Sequence, residues 1–324
     1  MGYRLPLVTT IVVFMMMILG AVVVGTQAGF ACPDWPLCHG QIVPPLDDPL
    51  VLIEWFHRTT SALGGLLILI TAFAAWRARR EHRLYGRLAI LTVILLAIQG
   101  LAGAAIVVFK LPGYMTTIDV TNGMLLISVF GALTALALRR KDLQEKRASA
   151  ERDANMVTLF VPAALMAGVT LFQVVVGGLF RHTGAGEALF GRNDYIKNHF
   201  QDHMPSDAFA NAFLMFHIMV AVLVTAAFAW LLVQAIRKRV LVVPTIALLL
   251  LVLIQMLLGF VTLGTELALA PVTSHMAVAS LMMVLSVYIG ARAYFARTVH
   301  HSQAVQETDS ETQTAPSKLH LNVR

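Results

Sequence analysis

The sequence predicts an all-α protein: eight transmembrane helices in two pseudo-twofold four-helix repeats, with both termini in the cytoplasm. Three observations lead there. Of 324 residues, 58% are hydrophobic and only 13% charged, against about 25% charged in a soluble domain. The apolar residues gather in eight runs long enough to cross a bilayer, and in lipid only helices and closed barrels satisfy their backbone. Two distant segments, 99–119 and 255–275, align without a gap, as a duplicated unit requires.

The spans fall at about 6–27, 51–76, 87–109, 115–138, 156–180, 207–236, 240–264 and 268–294. The first is too long for a secretory signal and has no small-residue cleavage site, so it counts as a helix. Short turns, "KLPGY" and "GTELALAP", join the third span to the fourth and the seventh to the eighth. This divides the chain into a first repeat (1–138), a linker (139–155), a second repeat (156–295) and a polar tail (296–324) expected to be disordered.

Charge sets the expected orientation. Arg77, Arg79, Arg80, Arg83 and Arg87 form one basic cluster, and Arg139, Arg140, Lys141, Lys146, Arg147 and Arg152 a second. Arg237, Lys238 and Arg239 form a third. Threading eight spans puts all of them on one face, and Arg58, Lys110, Arg181, Arg192 and Lys197 on the other. The positive-inside rule makes the first face cytoplasmic. These loops account for the pI of about 9.6, so nucleic acid is not an expected partner. A multi-pass protein of a prokaryotic plasma membrane is expected.

The only two cysteines, Cys32 and Cys38, lie in "ACPDWPLCHGQIVPP" between the first two spans. The threading places this loop on the outer, oxidising face, where disulfides persist. Spacing alone leaves a structural staple and a redox-active pair equally open. For zinc the loop adds only His39, an incomplete set.

The repeat is legible in detail. Residues 20–29 align with 177–186, which pairs Thr26 with Thr183 and Gly29 with Gly186. In the longer alignment Gln99 pairs with Gln255, Gly103 with Gly259, and Asp119 with His275. Each repeat carries a histidine near the outer end of its second helix, His57 and His217. Ionisable groups inside spans are costly and usually functional. His217 and His275, at matched depth on two helices of one repeat, suit the two faces of a haem iron. A packing or hydrogen-bonding role is the plainer alternative. Glu54 and His57 in "IEWFHRTTS" are three apart and share a helix face. Glu54 either pairs with Arg58 to anchor the helix end or stands beside a haem-ligating imidazole. Opposite His57 the repeat offers Asp119, with Asn122 one turn further as a weak substitute ligand.

Five segments together, "CPDWPLCHGQIVPP", "IEWFHRTTSALGG", "FRHTGAG", "FHIM" and "GTELALAPVTSHM", resemble the haem A synthase family of cytochrome oxidase biogenesis. The resemblance runs over about residues 7–295. It implies an eight-helix pseudo-twofold bundle with haem b between His217 and His275 in the second half. In the first half it implies a catalytic pocket for haem O, whose C8 methyl is oxidised to the formyl of haem A. His57 is then the substrate-haem ligand, with Asp119 as a weaker candidate across from it. Glu54, Cys32 and Cys38 are the functional side chains, the cysteines forming a disulfide. The chain departs from the pattern twice. Asp119 stands where a histidine is usual, and a second cysteine pair before the sixth span is missing.

The implied partners are haem O and haem A, with haem O synthase, an electron donor and terminal oxidase subunits as further candidates in a lipid surrounding. A homo-oligomer is left open. Two other readings compete: a divergent non-catalytic haem-binding assembly factor, favoured by Asp119, and a membrane b-type cytochrome. A transporter fits less well, because the spans lack mid-depth Gly/Pro breaks.

Overall fold

The computed structural model describes the backbone of residues 1–111, 113–145, 149–190 and 205–314, with side chains through 296. The loop before the sixth span (191–204, with Arg192 and Lys197), the inner-cluster residues Lys146 and Arg147, and tail residues 315–324 lie outside the described residues.

Among the described residues ten α-helices follow one another: α1 (Arg4–Thr26), α2 (Pro49–Arg77), α3 (Arg83–Phe109), α4 (Tyr114–Gln144), α5 (Ala150–Val157), α6 (Phe160–His182), α7 (Ala185–Phe190), α8 (Asp207–Lys238), α9 (Val242–Gly264) and α10 (Leu269–Thr314). Eight helical segments are long and apolar enough to cross a membrane, with α5 and α6 counted together as one. They coincide with the eight runs read from sequence. The ends follow local chemistry. Asp48 Oδ1 accepts from the Leu50 N–H at 2.8 Å, with Pro49 opening α2. Ser149 and Ser206 cap α5 and α8 in the same way.

Two boundaries differ from the sequence reading. α4 runs past 138 to Gln144, and α5 begins at Ala150, so most of the linker is helical. The reason is electrostatic. Arg139 on α4 forms a two-pronged ion pair with Asp153 on α5, and both are buried. α10 continues past 295 to Thr314, so the part of the tail within the described residues is helical.

The helices pack in two closed rings. In the first, α1 touches α2, α2 touches α3, α3 touches α4, and α4 returns to α1. In the second, α6, α8, α9 and α10 repeat that order. The rings meet along α4 and α10, with α1 resting on α10 and α6 on α4. α4 is therefore buried over 78% of its apolar window, against 11% for α3. Methionines fill this seam: Met124 and Met283 are buried, with Met17 and Met276 against them. Polar side chains join helices within a ring, as in the buried Thr9–Thr71 hydroxyl pair between α1 and α2, 2.7 Å apart.

Candidate functional site

The Cys32–Cys38 disulfide is present, with Cα atoms 4.7 Å apart. Both cysteines are buried against Val51 at the start of α2. The loop they close is held from within by Asp34, whose carboxylate accepts the His39 N–H at 2.7 Å and the Gly40 N–H at 2.8 Å. The Gly40 bond, the largest influence, together with the His39 bond holds the Asp34 carboxyl below its ordinary range against desolvation, which ranks between the two.

Arg58 fastens this loop to α2. One guanidinium nitrogen donates to the carbonyls of Asp34 and Leu37, each at 2.5 Å, and the other to the carbonyl of Cys32 at 2.9 Å. Its Nε donates to Glu54 Oε1 at 2.7 Å. Both readings of Glu54 thus meet in one side chain. One oxygen is committed to Arg58, while Oε2 is buried and has no hydrogen-bond partner among the described residues. His57, three residues along the same face, keeps its Nδ1 buried and unpartnered. A Cβ built on Gly20 of α1 would lie 3.5 Å from the His57 ring, so the imidazole rests directly on a neighbouring helix backbone.

The second ring repeats this seating. Gly177 of α6, the counterpart of Gly20, backs His217, and Gly259 of α9 backs His275. A glutamine amide meets each ring: Gln173 Nε2 lies 3.2 Å from His217 Nε2, and Gln255 Nε2 lies 3.1 Å from His275 Nε2. Nδ1 of both histidines is buried without a partner, as is Oε1 of both glutamines. α8 and α10 are opposite corners of their ring.

In the first ring Gln99 donates to Asp119 Oδ1 at 2.7 Å, the same clamp that Gln255 applies to His275. Asn122 is spent as a donor: its amide bonds Gln99 Oε1 at 2.7 Å and the Leu95 carbonyl at 2.9 Å. These bonds hold the Asn122 amide against α3 and leave its Oδ1 as the atom that a metal would meet.

Sequence reasoning singled out the histidines, Glu54, Asp119 and the cysteines as candidates. It missed Gln173 as the partner of His217, the clamping role of Gln99 and Gln255, and the reach of Arg58 into the loop. A lone glutamine in the apolar run "TLFQVVVGG" was the available signal for Gln173. The Arg58 contacts end on backbone carbonyls and carry no signature.

Among the described residues, no three or more His, Cys, Asp or Glu gather to hold a bare metal ion. The donor set suits a haem, which takes one or two axial imidazoles from facing helices. Buried imidazole nitrogens without partners, on rings held in place by glycine backbones, are what such a group would use.

Similarity to known proteins runs through most of the chain. The sequence pattern of the cytochrome oxidase assembly protein family (COX15-CtaA) matches residues 3–287. The heme A synthase of Bacillus licheniformis is 31% identical over 233 residues, covering 69% of this chain and 74% of that protein. That of Geobacillus kaustophilus is 34% identical over 184 residues, and the chain spans just 56% of its length. That of Staphylococcus carnosus is 26% identical over 308 residues, or 94% of this chain and 95% of that protein. With eight membrane-length helices and a family match through nearly all of them, the chain is an integral membrane protein and belongs to the cytochrome oxidase assembly protein family.

Proposed function

We propose that this chain is a haem A synthase, an oxidoreductase that converts the C8 methyl of haem O to the formyl of haem A for terminal oxidase assembly. The observation that carries the reading is the unit at the head of α2. A half-committed buried carboxylate, Glu54, lies one turn from an imidazole with a free nitrogen, His57, and is fixed by Arg58 to a disulfide-closed loop. Haem O is the substrate here; its iron can mediate the oxidation, and the four electrons removed and the oxygen atom gained require an external oxidant and oxygen source. The chain supplies His57 to hold it and Glu54 Oε2 to accept a proton or face developing positive charge. A preorganised group of this kind is worth roughly a hundredfold or more in rate. The loop of Cys32 and Cys38 covers this end.

In the same reading His217 and His275 hold one haem b. Asp119 completes the first pocket on the side facing His57. The repeats are related by a pseudo-twofold axis through the α4–α10 seam, both termini are cytoplasmic, and the disulfide loop faces outward from a prokaryotic plasma membrane. The order of helix contacts and the glycine–histidine seats recurring in both rings support this arrangement. Haem O synthase, an electron donor and terminal oxidase subunits are the partners it implies.

Asp119 favours a second reading, a non-catalytic haem-binding assembly factor. Pigment extraction from the purified protein decides between them. The synthase gives haem O and haem A alongside haem B, and Glu54→Ala cuts the haem A fraction sharply. Haem B alone, from cells that make haem O, sinks the catalytic reading and leaves the assembly factor.

A further inference from the structure

The two rings share a frame but differ at one corner. In the second ring the glutamine of α9 clamps an imidazole, His275, and that ring lies against Gly259. In the first ring the glutamine of α3 clamps a carboxylate, Asp119, and a Cβ built on the counterpart Gly103 would meet nothing within 4 Å among the described residues. The aspartate is shorter than an imidazole and is drawn onto Gln99, so it does not fill the corner. Asn122 cannot fill it either, because its amide is tied to Gln99 and to the Leu95 carbonyl. α2 and α4 are opposite corners of the first ring, so this open corner lies across from His57.

We infer that this corner, formed by Asp119, Gln99 and Gly103, is a binding site for a small exogenous molecule, of water or diatomic size, on the side of the substrate haem away from His57. The inference rests on the first ring taking a haem, as proposed above. The space next to Gly103 admits such a molecule. The Asp119 carboxylate, held at one oxygen by Gln99, offers an acceptor to a bound water and a polar neighbour to a diatomic molecule. A carboxylate clamped this way is a poor replacement for an axial imidazole. The second ring, closed by His275, has no such site. The halves therefore differ in what they admit, although their helices follow one plan.

Carbon monoxide is the probe. It is added to the full-length protein, purified in detergent, loaded with haem and reduced. The expected result is that one haem population shifts its absorption on carbon monoxide and the other does not. The responsive population disappears in His57→Ala, and the silent one in His217→Ala. Asp119→His, for which Gly103 leaves room, abolishes the shift and, in the oxidised protein before reduction, adds a second low-spin signal in electron paramagnetic resonance. Asp119→Asn keeps the shift but moves the stretching frequency of the bound carbon monoxide, because the hydrogen-bonding group has changed.

A His57-dependent haem that is low-spin and inert to carbon monoxide overturns the inference and leaves the synthase reading standing. So does Asp119→His with unchanged spin state and reactivity. Carbon monoxide binding without any haem A in the extract has the opposite meaning: the open corner stands and the synthase reading falls. Haem content unchanged in His57→Ala removes both.

Discussion

Arg58 holds more of the first site together than any other residue. It joins Glu54 to three carbonyls of the disulfide loop, 21 to 26 positions away in sequence. A forked, planar guanidinium can make these bonds together, whereas an ammonium is a single point. Arg58→Lys should therefore keep a positive charge beside Glu54 but release the loop. The expected outcome is faster reduction and alkylation of Cys32 and Cys38 under mild phosphine, together with loss of haem A formation. Alkylation at the wild-type rate would show that the loop does not depend on Arg58. Asp34 adds a pH dependence to the same loop. Its folded pKa is depressed by the Gly40 and His39 amides, so its contribution is complete above the ordinary carboxylate range of about 4. That contribution is lost only as pH falls through the lower folded value. Cysteine reactivity toward phosphine, corrected for the phosphine's own protonation, should be flat from neutral pH down to about 4 and rise below it. A rise already at pH 6 would contradict this. Glu54, His57 and Arg58 are adjacent in sequence and could be read as one helical face. The bonds from Arg58 to the loop could not, because any residue type can supply a backbone carbonyl.

At the scale of the helix, the glycines facing the histidines differ in a way that predicts which of them are replaceable. A Cβ on Gly177 would lie 2.8 Å from His217 Cε1, whereas on Gly20 and Gly259 it would lie 3.5 Å from His57 and His275. The first distance forces the imidazole aside; the others are ordinary van der Waals contacts. Gly177→Ala should disturb or abolish the low-spin spectrum assigned to the second ring. Gly20→Ala and Gly259→Ala should leave their spectra nearly intact. Equal effects in all three variants would mean that the glycines serve helix packing in general rather than the seating of these rings. Helix positions were the most legible feature of the sequence, since membrane-length apolar runs have few alternative structures. The end of α4 beyond 138 and the whole of α5 escaped notice because they are polar. A tertiary ion pair between Arg139 and Asp153 joins them, which hydropathy does not register. The cradling glycines were visible as letters, but only the packed helices show what each one faces.

Across the whole molecule, the candidate sites lie at the opposite end of the bundle from the Arg139–Asp153 and Arg292–Asp142 ion pairs. Asp119 and Asp142 are both on α4, 23 residues apart in sequence. At 1.5 Å per residue that is about 35 Å, more than the hydrocarbon thickness of a bilayer. At the far end Arg292 of α10 donates to Asp142 of α4 at 2.5 Å, linking the two rings, and Arg139 pairs with Asp153 of α5. Removing one partner of a buried pair strands the other charge and costs about 3–5 kcal/mol, while replacing both with apolar groups is often close to neutral. Asp153→Ala should therefore lower the thermal unfolding temperature in detergent markedly, and Arg139→Met combined with Asp153→Leu should recover most of the loss. Neither change should alter the absorption of a haem bound near Asp119 or His275, because the perturbation begins a bilayer's width away. A shifted haem spectrum in the stably folded double variant would mean that α4 transmits the disturbance along its length, and the two ends could not then be treated as independent.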